Sequence, residues 1–215
     1  STQSTGSSYH LVEFWEERYK SDSEPFEWYQ RYSDLKPKLK EYFPSQGKIL
    51  MVGTGSSEVP FELYDDAEMQ IKDITCVDCS AIIIKKMQQM IGDRKSLEFV
   101  TMDCTEMTFQ EAQFDLIFDK GTLDSILCGE GAADRAQQML EGVIKCLKNQ
   151  GYYLCISYGK PDMRLQYLQN EKLQWDVEVR ELPRPKLMEG QAEGDCHYCF
   201  ICKKRGEVDD KKKRK

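Results

Sequence analysis

The stretch that decides the fold is Lys48-Ile49-Leu50-Met51-Val52-Gly53-Thr54-Gly55-Ser56-Ser57-Glu58. Its four consecutive apolar residues follow turn residues and predict a strand buried on both faces, as in a parallel sheet. Gly53 and Gly55 lack a Cβ atom, so the backbone can turn sharply and approach a ligand closely. Ser56 or Ser57 can cap a following helix, whose first turn suits Glu58. The predicted strand, glycine turn and helix fit a plain structural turn as well as a nucleotide site.

Length and composition limit the class of protein. The 215 residues suffice for one well-packed domain, which we predict at 9–204, between a disordered start at 1–8 and a charged tail at 205–215. The 30 basic and 37 acidic residues give a net charge of -7, which makes nucleic acid an unexpected partner. No apolar run approaches the roughly 18 residues of a membrane span, and the polar start does not resemble a signal peptide. We therefore expect a cytoplasmic protein that does not enter membranes.

The nine cysteines favour a reducing compartment, because their number is odd and most lie in apolar segments. The segment Cys196-His197-Tyr198-Cys199-Phe200-Ile201-Cys202 invites a zinc site as an alternative. It also has the pattern of a strand, on which Cys196 and Cys202 would lie about 20 Å apart at ~3.3 Å per residue. That separation is too large for one metal ion, so we expect no metal site.

Three further segments are predicted strands that end in an acid. They are Asp73–Asp78, Leu97–Asp103 and Phe114–Gly121, with Asp78, Asp103 and Asp119 at their ends. A single acid in such a place is more often a turn or helix cap than a ligand. In an open parallel sheet, however, ligands bind beyond the carboxyl ends of the strands, so the glycines and the three acids should converge on one crevice. Asp78 stands 25 residues after Gly53, where a βαβ unit places the carboxylate that binds ribose hydroxyls.

The remaining segments complete an alternating α/β pattern. Predicted helices cover Tyr9–Lys20, a segment capped by Asp34, a segment capped by Ser80, and Ala136–Leu147, which Asn149-Gln150-Gly151 ends. Predicted strands cover Tyr152–Tyr158, Trp175–Arg180 and Cys196–Cys202, the last two as a closing pair. The aromatic loop Glu24–Tyr29 either packs on the domain or forms a lid over a ligand.

The residues after the glycine turn favour one cofactor. A nicotinamide dinucleotide requires the full Gly-x-Gly-x-x-Gly motif and a helix end for its pyrophosphate. Glu58 near the helix start disfavours a pyrophosphate and suits a cationic ammonium or sulfonium group. Asp103 can accept a hydrogen bond from an adenine amino group. S-adenosylmethionine fits these features best.

The motifs also carry a family resemblance. They are Glu13-Phe14-Trp15-Glu16-Glu17-Arg18-Tyr19, Gly53-Thr54-Gly55, Asp78, Met102-Asp103-Cys104 and, as the most specific, Phe114-Asp115-Leu116-Ile117-Phe118-Asp119-Lys120-Gly121-Thr122-Leu123-Asp124. Through them, nearly the whole chain resembles the seven-strand methyltransferases of the methyltransferase-like group that modify translation elongation factor 1-alpha. This resemblance implies an α/β, Rossmann-like sheet of order 3-2-1-4-5-7-6, with the last pair antiparallel and helices on both faces.

The resemblance implies roles for individual residues. Residues 9–44 would form a helical lid, in which Trp15 and Tyr19 close over the cofactor. The other implied cofactor contacts are Gly53 and Gly55 under the methionyl part, Asp78 on the ribose, Asp103 with Cys104 at the adenine, and Cys79, Asp119 and Lys120. Asp119 would lie nearest the transferring methyl group and is the catalytic candidate.

The implied activity is methylation of a protein lysine by S-adenosylmethionine, with elongation factor 1-alpha as a possible protein partner. A lysine must first lose a proton, for which Asp119 or a tyrosine is the candidate acceptor. Trp28 and Tyr29 are candidates to line the acceptor entrance, where they would hold a methylammonium by cation–π contact.

Two alternatives remain open at the level of sequence. One is a methyltransferase whose acceptor is a protein amino terminus or a small amine. The other is a noncatalytic relative that serves as a binding or assembly subunit. Met51 favours the second alternative, since many methyltransferases carry an acid there. The segment 54–57 also favours it, because members of the family commonly carry Cys-Gly-Asn-Ser there. The intact motifs at Trp15, Asp78 and Asp103 and the whole Asp119–Asp124 string favour an active enzyme.

Overall fold

A computed structural model describes residues 8–21, 25–185 and 196–206. The strands are β1 (Lys48–Val52), β2 (Asp73–Asp78), β3 (Leu97–Thr101), β4 (Phe114–Lys120), β5 (Leu147–Ser157), β6 (Trp175–Pro183) and β7 (Cys196–Lys204). The α-helices are α1 (Val12–Ser21), α2 (Tyr32–Leu39), α3 (Val59–Asp65), α4 (Ala81–Gln89), α5 (Thr122–Ile126), α6 (Ala132–Cys146) and α7 (Pro161–Leu168). The predicted disordered start and charged tail lie outside the described residues except for Ser8, Arg205 and Gly206.

The strands form one sheet of order β3-β2-β1-β4-β5-β7-β6, which confirms the predicted order. The first five strands are parallel, whereas β7 runs antiparallel to both β5 and β6. At the centre, Leu50 of β1 pairs with Thr75 and Ile117 of the flanking strands. The four apolar residues of β1 are all buried, because helices cover both faces of the sheet. The glycine turn therefore leaves the sheet near its middle.

Two apolar layers enclose the sheet. On one face, α2, α3 and α4 supply buried residues such as Leu39, Leu63 and Ile83. On the other face, α5 and α6 supply Leu123 and the predicted stripe of α6, which includes Met139. The longest described helix, α6, has 15 residues, and none of the helices within the described ranges combines the length and apolar character needed to cross a lipid bilayer.

Several local predictions are confirmed, and others are corrected. Ser80 caps α4, because its Oγ accepts a hydrogen bond from the amide of Ile83. The prediction that Asp34 caps a helix is wrong, because α2 begins at Tyr32 and Asp34 lies in its first turn. Ser57 does not cap α3 in the standard way; its Oγ accepts a hydrogen bond from Val59 at 3.3 Å, and the helix begins after Glu58.

The start of β5 also differs from the prediction. The turn signal Asn149-Gln150-Gly151 predicts the end of a helix, but α6 ends at Cys146 and β5 begins at Leu147. The irregularity falls inside the strand, where the pairing with β4 shifts register and Gln150 adopts a φ of 64°. A bulged strand uses the same turn residues as a loop, which explains the error.

The cysteines of β7 point in different directions. Cys199 belongs to the apolar layer on one face of the sheet, and Cys202 belongs to the layer on the other face. Successive side chains of a strand point to opposite faces, so residues three positions apart lie on opposite faces and their thiols cannot converge. Within the described ranges, no group of three or more histidine, cysteine, aspartate and glutamate side chains is arranged to hold a metal ion.

Candidate active site

A cavity of about 290 Å³ lies at the carboxyl ends of β1 to β4, beneath the amino-terminal part of the chain. From the sheet side it is lined by Met51, Gly53, Gly55, Asp78, Cys79, Met102, Asp103, Cys104, Phe118, Lys120, Gly121 and Asp124. From the opposite side it is lined by Tyr9, Trp15, Tyr19, Phe26, Trp28 and Tyr29. The structure thus brings together every predicted cofactor contact except Asp119.

The glycine turn has a steric reason that the sequence did not reveal. Gly53 and Gly55 adopt φ values of 58° and 54°, in the left-handed region that favours glycine. A Cβ atom on Gly53 would lie 2.0 Å from Oγ1 of Thr122, and one on Gly55 would lie 2.7 Å from the hydroxyl of Tyr19. The turn therefore requires glycine at both positions so that the start of α5 and the lid can pack closely against it.

Asp78 is held in place at the end of β2. Its Oδ2 accepts a hydrogen bond from the amide of Gly55 at 2.8 Å, and its Oδ1 accepts one from Ser80 at 2.9 Å. Burial raises the pKa of this carboxyl group, while the two amides act in the opposite direction. A carboxylate has about four acceptor sites. Asp78 therefore retains the capacity to accept hydrogen bonds from a diol in the cavity.

Asp103 and two thiols form the next part of the wall. Oδ1 of Asp103 accepts hydrogen bonds from the amide and the hydroxyl of Thr105, each at 2.8 Å. Its Oδ2 lies 3.6 Å from the guanidinium of Arg135, an ion pair that no sequence pattern indicates. Burial raises the pKa of the Cys79 thiol to about 12 and that of Cys104 well above its usual range. Both thiols therefore stay protonated and act as small apolar surfaces.

Helix α1 covers the cavity with aromatic rings. The rings of Trp15 and Tyr19 stack with their centroids 5.8 Å apart, and the indole of Trp15 donates a hydrogen bond to the carbonyl of Tyr9 at 2.7 Å. The guanidinium of Arg18 lies 5.7 Å from the Trp15 ring and 5.3 Å from the Trp28 ring. These contacts place Trp15 and Tyr19 where a lid was predicted. Helix α2, which is fully described and belongs to the predicted lid 9–44, contributes none of the cavity-lining residues.

Residues 25–31, here called the lid loop, close the cavity from the same side. The ammonium of Lys120 lies 2.8 Å from a carboxylate oxygen of Glu27 and donates a hydrogen bond to the carbonyl of Trp28 at 2.9 Å. The amide of Phe26 donates to Ser56 at 3.1 Å. Burial lowers the pKa of Lys120, while Glu27 acts in the opposite direction. Lys120 thus fastens the lid loop to the end of β4. The aromatic rings of this loop line the cavity, which favours the lid interpretation of the predicted segment Glu24–Tyr29. Glu24 itself lies outside the described residues.

Asp119 lies behind the cavity wall. Its side chain is fully buried, and it accepts hydrogen bonds from the amides of Thr122 (2.8 Å) and Leu123 (3.1 Å) and from the hydroxyl of Tyr153 (2.8 Å). Burial raises its pKa to about 7. Asp119 therefore orients the start of α5 and does not line the cavity, and its predicted contact with a transferring methyl group stays a prediction.

Asp124 lines the cavity, but the sequence had not assigned it a role. Its carboxylate accepts hydrogen bonds from Tyr29 at 2.8 Å, from the amide of Tyr158 at 2.8 Å, from Arg164 at 2.9 Å and from the hydroxyl of Ser157. The sequence signal was its membership in the string Asp119–Asp124, which carried the family resemblance. Its four partners could not be found from the sequence, because they lie 33 to 95 residues away.

The residues present suit S-adenosylmethionine. Asp78 and Asp103 offer acceptors for a nucleoside, and the aromatic rings of the lid offer faces that attract a sulfonium cation. Met51 is 2% exposed and lines the same cavity beside the glycine turn. This part of the wall is therefore apolar, and it offers no carboxylate to a cationic group.

Comparisons with known proteins identify the family of this chain. A family model described as a methyltransferase domain matches residues 44–207. The human eEF1A lysine and N-terminal methyltransferase is 36% identical over 153 residues, which cover 69% of this chain and 22% of that protein. The mouse EEF1A lysine methyltransferase 4 is 27% identical over 179 residues, which cover 79% of this chain and 69% of that protein. The chain thus spans less than a quarter of the length of the human relative.

Solved structures share the fold. A methyltransferase from Methanosarcina mazei has a TM-score of 0.60 at 14% identity, over 80% of this chain and 98% of its own. The 1,6-didemethyltoxoflavin-N1-methyltransferase of Burkholderia thailandensis, solved with S-adenosylhomocysteine, has a TM-score of 0.58 at 17% identity, over 81% of this chain and 76% of its own. By its family match and its sheet, this chain belongs to the S-adenosylmethionine-dependent methyltransferases.

Proposed function

We propose that this chain transfers a methyl group from S-adenosylmethionine to an amine of a protein, namely a lysine side chain of an elongation factor 1-alpha-like substrate. The observation that carries the proposal is the cavity enclosed between the strand ends and the lid loop, where carboxylates and aromatic rings meet. The names of the human and mouse relatives support a lysine of this factor as the acceptor.

The residues of the cavity divide the work of binding. Asp78 would hold the ribose hydroxyls, and Asp103 with Cys104 would face the adenine. Trp15 and Tyr19 would cover the cofactor from above, while Gly53 and Gly55 would allow the backbone to lie beneath it. When bound, S-adenosylmethionine supplies a methyl carbon that forms a bond to nitrogen as its bond to sulfur breaks, and the bonding pair leaves with the sulfur.

The acceptor amine must arrive without its proton, and the free pKa of lysine is about 10.4. Asp119 lies behind the wall, and Asp124 already accepts four hydrogen bonds. Burial, followed by the neighbouring Asp124, raises the pKa of Tyr29, so this phenol remains a donor. These observations argue against all three residues as the base. The proton would pass to water, and the protein would contribute alignment and removal of solvent around the amine.

A methyltransferase for a protein amino terminus is the second candidate. The name of the human relative favours it, because that name includes both lysine and N-terminal methylation. The amine chemistry is the same in both cases, so mapping of the modified residue separates them. The noncatalytic alternative rests on Met51, and a binding measurement separates it from both enzymes.

The first experiment is a calorimetric titration of the chain with S-adenosylmethionine. We expect binding by the wild type and a loss of at least about tenfold in affinity for Asp78→Ala, because the ribose acceptor is removed. Asp73→Ala, at the exposed opposite end of β2, is the matched control and should bind like the wild type. Absence of binding by a folded wild type would favour the noncatalytic subunit, and intact binding by Asp78→Ala would refute the ribose assignment.

The second experiment identifies the acceptor. Purified elongation factor 1-alpha is incubated with the chain and radiolabelled S-adenosylmethionine, and mass spectrometry locates the label. We expect a methylated lysine. Label at the amino terminus would select the second candidate, and absence of label from a chain that binds the cofactor would exclude this factor as the substrate.

A further inference from the structure

The carboxylate of Asp124 connects three separate parts of the molecule at one end of the cavity. Tyr29 comes from the lid loop, Ser157 and the amide of Tyr158 come from the end of β5, and Arg164 comes from α7. Each carboxylate oxygen accepts two of these hydrogen bonds. A fully satisfied buried carboxylate holds its partners in one arrangement.

Tyr29 is held in an unusual conformation. Its φ of 64° lies in the left-handed region, which is uncommon for a residue with a bulky side chain. Its ring lies against Gly121, where a Cβ atom would come within 3.1 Å of Cε2, and 4.9 Å from the ring of His197. The surrounding contacts therefore determine both the backbone and the ring of Tyr29.

Tyr158 continues the same surface toward solvent. Its side chain is 58% exposed, and its ring centroid lies 6.5 Å from that of Tyr29. The ring centroid of Trp28 lies 6.1 Å from that of Tyr29. The three rings, here called the aromatic wall, all line the cavity. Asp78 and Asp103 line it from the ends of β2 and β3, which stand on the other side of β1 from β4 and β5.

The lid loop has attachments to the domain other than the hydroxyl of Tyr29. The loop is fastened independently by Lys120 to Glu27, by Phe26 to Ser56, and by Gln30 to the carbonyl of Pro183. The contacts with Gly121 and His197 limit where the ring of Tyr29 can lie, and the hydrogen bond to Asp124 completes them by holding its hydroxyl end.

We propose that Asp124 is a positioning residue for the methyl acceptor, because it fixes Tyr29 and the backbone of Tyr158 into an aromatic wall along which the acceptor amine lies. This inference rests on the proposed transfer of a methyl group to an amine. Aromatic faces attract an ammonium group and its methylated product, and their attraction depends on where the rings stand. Burial and the nearby Asp124 raise the pKa of Tyr29, which keeps its hydroxyl as a donor to Asp124.

The test compares two ligands and needs no knowledge of the acceptor. Sinefungin carries an amine where S-adenosylmethionine carries its methyl group, whereas S-adenosylhomocysteine has neither. Calorimetry gives the ratio of their affinities for the wild type, Tyr29→Phe, Asp124→Asn and the double variant. We expect each single variant to lower the preference for sinefungin by about 3- to 10-fold, and the double variant to lower it no further.

A second tyrosine–aspartate pair provides the matched control. Tyr32 donates a hydrogen bond to Asp66 at 2.7 Å away from the cavity, so Tyr32→Phe and Asp66→Asn should leave the preference unchanged. Tyr29→Phe keeps the ion pair of Asp124 with Arg164, so it remains informative if Asp124→Asn does not fold.

The outcomes separate this inference from the proposed function. If the wild type binds neither ligand, both proposals fall. If S-adenosylhomocysteine binds and the ratio is unchanged in Tyr29→Phe, the positioning role is refuted while the proposed function stands. Equal losses for both ligands would also refute it, because they would show that the pair serves the cofactor side or the lid alone.

Discussion

Asp119 should make the folded protein less stable as the pH rises from about 4 to about 7. Burial raises the pKa of its carboxyl group from 3.8 to about 7 in the folded chain. The folded state therefore holds a proton that the unfolded state releases above about pH 4. This contribution to stability is fully present below that pH and is lost as the pH rises through about 7.

The size of the effect follows from the shift. A difference of about three pKa units, at about 1.36 kcal/mol each, corresponds to about 4 kcal/mol in the free energy of unfolding. Asp119→Asn removes the titration. The difference in unfolding free energy, wild type minus variant, should therefore fall by up to about 4 kcal/mol between pH 4 and pH 8.

Urea unfolding followed by tryptophan fluorescence across this range measures the difference. Asp66→Asn is the control. Burial opposes ionisation of Asp66, but hydrogen bonds from Lys36 and Tyr32 lower its pKa to about 2. Its contribution is lost only as the pH falls below about 4, so its difference curve should be flat from pH 4 to pH 8. A flat curve for Asp119→Asn as well would refute the reasoning, because it would mean that the three donors keep Asp119 ionised.

Three further predictions follow from the cavity wall. Gly53→Ala should lower the free energy of unfolding by about 2 to 5 kcal/mol through backbone strain and a steric clash. Gly131 has a similar φ but open space around it, so Gly131→Ala should lower that free energy by only about 1 to 2 kcal/mol, and equal losses in thermal unfolding would exclude the clash. Lys120→Met should raise deuterium uptake in the lid loop and weaken S-adenosylhomocysteine binding at least about tenfold. Lys40→Met, which loses an exposed ion pair, should change neither, and unchanged uptake in the lid loop of Lys120→Met would contradict the fastening role. Trp28→Ala should reduce methylation of the acceptor by about 5- to 30-fold, and unchanged turnover would remove Trp28 from the acceptor side.

The parts of the fold that follow local rules were predictable. The buried run of β1, the period of α6 and the cap at Ser80 each depend on neighbours within a few residues, and the sequence displays such patterns directly. The errors at Asp34 and at the start of β5 concern residue types that are typical of caps and turns. In this chain Asp34 lies inside α2, and Asn149-Gln150-Gly151 lies inside β5.

The site divides in the same way. Asp78 and Asp103 were predictable because strand ends converge in a parallel sheet. The roles of Asp119 and Asp124 were not predictable, because the direction in which each carboxylate points depends on partners such as Tyr153 and Tyr29 from distant parts of the chain. Sequence reasoning placed Asp119 in the cavity and assigned no role to Asp124, whereas Asp119 lies behind the wall and Asp124 lines the cavity.

The position of β7 has a consequence for the order in which the chain assembles. β7 follows every other described strand in the sequence, yet it stands between β5 and β6 and pairs with both. During synthesis, β5 therefore emerges long before the strand that covers its edge, and an uncovered edge is prone to pair with other chains. A ribosome-bound chain that has not yet released residues 196–204 would have to protect that edge by other means, such as a chaperone, until β7 inserts.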